Sequence, residues 1–170
     1  MMEATPGDSV SFADLKLAPQ LLDAVRDAGY THPTPIQQQA IPLALSGRDL
    51  IGLAQTGTGK TAGFTLPIVH NLLTAPLSAD GEEPAHRVRV LVLTPTRELS
   101  AQVEASFRKY AKYTDLRVVP IFGGVGLEPQ SRALRKDSSV SAKPKPSGLI
   151  TPAAVTATRA GLFVLTRLSP

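Results

Sequence analysis

Cysteine is absent from the 170-residue chain, which excludes disulfides, thiolate metal centres and cysteine nucleophiles together. Histidine is scarce, and His32, His70 and His86 lie far apart in the sequence, so a histidine-based metal site is not expected. No apolar run approaches the ~18 residues that span a bilayer. Met1 to Ser11 carries Glu3 and Asp8 and has no hydrophobic stretch, which is not the pattern of a secretory signal. Acidic residues stop altogether at Asp137. These absences lead to the expectation of a cytoplasmic protein with no membrane partner. The composition is 42% apolar and 19% charged with a mean hydropathy of +0.02, enough to build one globular domain with a tail.

The net charge of +4 conceals an asymmetry. Residues 1–86 hold 4 basic and 9 acidic side chains, whereas residues 87–170 hold 14 basic and 5 acidic. A balance of −5 against +9 suggests that the second half faces something anionic, although a solvated basic surface would read the same way.

Three textures follow one another. From Phe12 to about Gly47 the pattern is helical, with Leu21, Leu22 and Val25 as an apolar stripe and Gly29 where a helix C-terminus favours positive φ. Thr34-Pro35 reads as an N-cap followed by proline at the first helical position, and Pro42 stands where a kink is expected. From Asp49 to about Lys136 strands and helices alternate. Strands are expected at Leu50–Leu53, Arg87–Leu93 and Arg117–Phe122, and helices at Lys60–Leu73 and through Val103, Phe107 and Tyr110. That alternation predicts an α/β fold with a parallel sheet and crossover helices. Residues 75–86 read as a polar loop. From residue 137 the chain is rich in Ser, Thr, Ala and Pro and weakly periodic. It is expected to be an irregular, mostly disordered tail, with at most one short element near the apolar cluster Leu162–Leu165.

The strongest chemical signal is Ala54-Gln55-Thr56-Gly57-Thr58-Gly59-Lys60-Thr61, placed after an apolar run and opening a helix. Two glycines let successive N–H groups turn inward as an anion-binding nest, and the helix start adds partial positive charge. Lys60 would reach the β- and γ-phosphates of a nucleoside triphosphate, and Thr61 would place its hydroxyl on Mg²⁺. Ala54 stands where the usual pattern opens with glycine. A phosphate loop alone does not separate kinases, GTPases, transporters and motor ATPases.

Alanine at that first place, taken with three other segments, resembles the DEAD-box RNA helicases. Gly29-Tyr30-Thr31-His32-Pro33-Thr34-Pro35-Ile36-Gln37, with Phe12 upstream, is similar to the family's Q motif. Pro95-Thr96-Arg97-Glu98-Leu99, followed by Gln102, resembles its motif Ia, and Gly123-Gly124 its GG element. The resemblance runs continuously from Ser11 to about Lys136 and is closest in wording to bacterial, RhlE-type members. It implies the first part of an N-terminal RecA-like domain that binds ATP with Mg²⁺ and grips the RNA backbone. The intact helicase would unwind RNA duplexes by ATP hydrolysis. Gln37 would select adenine through its amide, and Phe12 would stack on the base, although Phe12 by itself reads better as a core aromatic under the first helix. Pro95, Thr96, Arg97, Gly123 and Gly124 would contact RNA phosphates with little sequence preference and strong salt dependence.

The resemblance stops abruptly. The Asp-Glu-Ala-Asp and Ser-Ala-Thr motifs do not occur in the chain, and neither does a second RecA-like domain with its arginine finger. A phosphoryl-transfer site without those groups should lose orders of magnitude in rate, so this chain alone is expected to bind without turnover. The change of texture near residue 136 reads as a frameshift or truncation, with a natural short variant as the alternative. An incomplete sheet would leave an unpaired edge, so either the tail covers it or the fold is marginal.

Overall fold

A computed structural model describes residues 10–74, 89–123, 126–135 and 161–167, the last of these by backbone alone. The chain divides into two compact units.

The first unit comprises Met1–Pro76 and Ser106–Thr114, and its described elements are helical. After a 3-10 turn at Ala13–Leu15 come α1 (Pro19–Asp27), α2 (Pro35–Leu45) and α3 (Lys60–Thr74). α1 buries Leu21, Ala24 and Val25, the expected stripe with Ala24 in place of Leu22. It ends as the sequence predicts: Gly29 at φ +76 donates to the Arg26 carbonyl, and Tyr30 donates to that of Val25, the paired bonds of a Schellman cap. α2 starts at Pro35 behind Thr34 and continues past Pro42 to Leu45. Leu66, Val69 and Ile41 are fully buried. Phe107, also fully buried, lies 6.3 Å from the Phe64 ring at a tilted angle, a favourable aromatic geometry.

The strand expected at Leu50–Leu53 does not form. Residues 48–55 have no regular structure, and Ile51 and Leu53 are 93% and 90% exposed. A strand needs a neighbour for its N–H and C=O groups, and every described strand belongs to the other unit.

That second unit, Leu77–Ala105 with Asp115–Pro170, holds β1 (Val90–Thr94), β2 (Leu116–Phe122), α5 (Leu127–Arg135) and β3 (Gly161–Arg167). Helix α4 (Arg97–Tyr110) starts here and runs on into the first unit. The sheet order is β1-β3-β2, with β3 antiparallel to both neighbours. β1 and β2 therefore run parallel to one another with α4 as their crossover, as the alternation predicted. The expected parallel hydrogen bonding is corrected, because β3 stands between them and pairs with each in the antiparallel sense. Residues 161–167, which include the apolar cluster, form a strand, the one short element expected near the end of the tail. The rest of the expected tail lies outside the described residues, as does the loop 75–86.

β2 is finished on its outer side by a side chain. Gln130 of α5 accepts from the Phe122 N–H at 2.7 Å and donates back to its carbonyl at 3.1 Å, imitating a neighbouring strand. Alternation turns the ring nitrogen of Pro120 to that same outer side, where no ladder bond is missing.

Candidate nucleotide and RNA-binding sites

The phosphate loop belongs to the first unit. Gly57 and Gly59 take φ of +84 and +88, which only glycine adopts at little cost. The Thr58 hydroxyl donates to the Gln55 carbonyl at 2.8 Å, bracing the turn. α3 opens at Lys60, whose ammonium donates to the carbonyls of Gln55 (2.6 Å) and Ala54. Thr61 is half-buried on the first turn. Open space surrounds the position a Cβ would take at Gly57, and the loop is exposed from Gln55 to Gly57. The residues therefore suit a phosphate chain: a bare backbone nest, a helix start and an ammonium within reach. Thr61 would offer its hydroxyl to a magnesium ion carried by such phosphates. No group of three or more His, Asp or Glu is placed to hold a metal ion among the described residues.

Gln37 is drawn into this loop, which the sequence did not foretell. It is 5% exposed. Its Oε1 accepts from the Thr34 N–H at 3.0 Å, and its Nε2 donates to the Gly59 carbonyl at 3.1 Å. The same carbonyl accepts from the Gly63 N–H at 3.1 Å, so Gly59 caps α3 while Gln37 ties it to α2. A Cβ at Gly59 would collide with the Gln37 amide. The residue expected to read a base thus braces the phosphate loop, with one amide hydrogen and one lone pair to spare.

Phe12, expected to stack on the base, is buried. It is 6% exposed and lies in the core beside the 3-10 turn, where its carbonyl accepts from the Leu15 N–H. Burying a phenyl ring contributes roughly 2–3 kcal/mol. The sequence also gave no role to His70. Its Nδ1 accepts from the Ala18 N–H at 3.0 Å, fastening the start of α1 to α3, and burial pushes its pKa below the usual imidazole value.

The residues expected to meet RNA lie in the second unit. Pro95, Thr96 and Arg97 are exposed at the β1–α4 turn. Thr96 acts as N-cap of α4, its hydroxyl oxygen accepting from the Leu99 N–H at 3.2 Å. Arg97 donates to the Gly123 carbonyl, so two segments matched separately in the sequence are joined in space. Gly124 lies outside the described residues. Glu98 was not foreseen: its carboxylate accepts from its own N–H and from the Thr96 hydroxyl, which holds it below the usual carboxylate range. A negative charge therefore occupies the helix start where phosphate contact was expected. No helix among the described residues is long and apolar enough to cross a membrane.

A family model described as DEAD/DEAH box helicase matches residues 34–159. The DEAD-box ATP-dependent RNA helicase 28 of Oryza sativa subsp. japonica is 50% identical over 125 residues, covering 74% of this chain and 15% of the relative. The DEAD-box ATP-dependent RNA helicase RhpA of Helicobacter pylori is 43% identical over 130 residues, 76% of this chain and 24% of its own length. Among solved structures, the RNA-helicase Prp28 from Chaetomium thermophilum bound to ADP is similar at 42% identity with a TM-score of 0.58, over 77% of this chain and 31% of that one. A DEAD box protein from Methanococcus jannaschii has a TM-score of 0.62 at 34% identity, over 73% and 32%. The chain spans no more than about a quarter of the length of these curated relatives.

Proposed function

We propose that this chain, which belongs to the DEAD/DEAH box helicase family, is an ATP- and RNA-backbone-binding part of an ATP-dependent RNA helicase and does not turn ATP over on its own. The observation that carries the nucleotide half is the Gln37–Gly59 brace, which couples the Q-motif helix to the phosphate loop in a region matched by the family model. On this reading, Lys60 leaves the carbonyls of Ala54 and Gln55 for the phosphates. The N–H groups from Thr56 to Lys60 supply the remaining donors, and Thr61 turns its hydroxyl toward phosphate-bound Mg²⁺. The spare hydrogen and lone pair of Gln37 face the adenine edge. The exposed Pro95–Arg97 turn and Gly123 follow the RNA backbone.

Binding without turnover rests on the sequence: Asp137 is the last acidic residue, and no Asp-Glu-Ala-Asp is present. Unwinding, on this proposal, requires those carboxylates and a second RecA-like domain. A cytoplasmic setting and the bacterial, RhlE-like subtype are part of the same reading. The subtype is supported by the wording of the motifs and by bacterial relatives found alongside plant and fungal ones.

The test is titration with a fluorescent ATP analogue and Mg²⁺. Lys60→Ala should abolish binding, and Gln37→Ala should weaken it about tenfold, the loss of roughly one charge-free hydrogen bond at the loop. Equal affinities across the three proteins would refute the nucleotide site. RNA-stimulated phosphate release by this chain alone would refute the claim of binding without turnover.

A further inference from the structure

β1 and β2 do not pair with one another, and β3 alone fills the space between them. β3 itself arrives from far along the chain: α5 ends at Arg135 and β3 begins at Gly161. At up to ~3.3–3.6 Å per residue, the intervening stretch is long enough to deliver the strand from either side. The strand Gly161–Arg167 reads GLFVLTR, without an acidic residue; all seven positions pair with β2, from Phe122 opposite Gly161 to Leu116 opposite Arg167, and the first five also pair with β1, from Thr94 opposite Gly161 to Val90 opposite Leu165.

Such a ladder does not recognise which copy of the chain supplies the strand. We propose that the slot between β1 and β2 is a strand-exchange site that takes residues 161–167 of a second copy in the same antiparallel register, giving a reciprocally swapped dimer. Every pairing in the swapped form is one already made in the single chain, so exchange costs only the entropy of association. Because each chain carries its own copy of the strand, pairing within one chain is favoured by an effective concentration of up to roughly millimolar. The single chain therefore prevails in dilute solution, and the swapped dimer gains as protein concentration approaches that value. The proposal is independent of nucleotide and RNA binding.

The absence of native cysteine makes disulfide trapping in the full chain a clean test. Phe122 turns its N–H and C=O to Gln130 and away from β3. Alternation from there makes Leu93 opposite Leu162 a pair without mutual ladder bonds, the kind whose Cα atoms lie about 4.5 Å apart and accept a disulfide. Leu93 is 72% exposed, so its replacement disturbs little.

Separately purified L93C and L162C chains are mixed at roughly 0.5 mM, near that effective concentration, in a thiol–disulfide buffer. The expected result is a covalent dimer, at least about tenfold above the off-register mixture of L93C with F163C. The double variant L93C/L162C should close within one chain when dilute. V118C with L165C repeats the test on the β2 side. The proposal is overturned if the double variant closes but the mixture shows no register-specific dimer. It is equally overturned if neither double variant closes, since the slot is then not held by 161–167.

Discussion

The guanidinium of Arg97, at the first turn of α4, donates to the main-chain carbonyl of Gly123, at the end of β2. A cation bound to a carbonyl rather than a carboxylate keeps its full charge toward solvent, so Arg97 both shapes the turn after β2 and presents charge to an anion. Arg97→Ala should weaken RNA binding and lower the salt slope by about one unit. Arg97→Lys should restore the salt slope without restoring hydrogen-exchange protection at the Phe122 N–H beside that turn, because a lysine cannot reproduce the planar fork. Full rescue of both readouts by lysine would show that only the charge matters.

Glu98 works against the same ligand. Its carboxylate takes the exposed N–H and the Thr96 hydroxyl that a phosphate would use, and it is stabilised there by the helix dipole. Glu98→Gln removes a like charge from the phosphate path. The expected outcome is RNA affinity raised about three- to tenfold at low salt, with the gain shrinking as screening increases. Unchanged affinity in fluorescence anisotropy would place the RNA path away from the α4 start.

These two residues also mark where sequence reading gives out. Helix ends were legible because they are local: Gly29 has no Cβ to resist positive φ, and Thr34-Pro35 starts a helix through its own dihedrals. The glycine turn before α3 was legible for the same reason: Gly57 and Gly59 take positive φ. What sequence spacing did not disclose was the use of each polar group once folded. Gln37 carries an amide suited to adenine, yet Gly59 lies 3.1 Å away and takes its Nε2. Phe12 reads from sequence as a base-stacking ring or a core ring, and its burial is set by the fold around it rather than by its neighbours in sequence. The apolar run at Leu50–Leu53 has strand composition, but a strand is completed by a partner that local sequence does not contain. β3 shows the converse: weakly periodic sequence around a short apolar cluster becomes a strand because two others stand ready to pair with it.

His70 gives the first unit a dependence on pH. To accept the Ala18 N–H its Nδ1 must be unprotonated, and burial already lowers its pKa from 6.5. A histidine with a depressed folded pKa contributes its full stability above the unfolded value and loses it as pH falls through the lowered one. Urea midpoints for the parent chain should therefore hold steady from pH 8 to about 7 and decline below about 6.5. His70→Gln can accept the same hydrogen bond through its amide oxygen without titrating, so its midpoint should decline less steeply over that window. Parallel declines would assign the acid sensitivity to other groups.

Ile51 and Leu53 stand almost wholly in solvent, two apolar side chains on one unpaired stretch immediately before the phosphate loop. Removing a buried isoleucine or leucine costs about 2–5 kcal/mol, whereas exposed sites change stability by less than about 0.5 kcal/mol. Ile51→Ser combined with Leu53→Ser should accordingly leave the thermal midpoint within about 2 °C of the parent. Aggregation at high protein concentration should fall, because an exposed apolar segment with free backbone groups is a template for intermolecular pairing. Light scattering with a thermal melt tests both. A large drop in midpoint would mean that residues 50–53 are packed in solution, and backbone exchange at Ile51 and Leu53 would then be slow as well. Fast exchange with an unchanged midpoint is the expected pair of results, and it would place the solubility limit of the chain in this one segment.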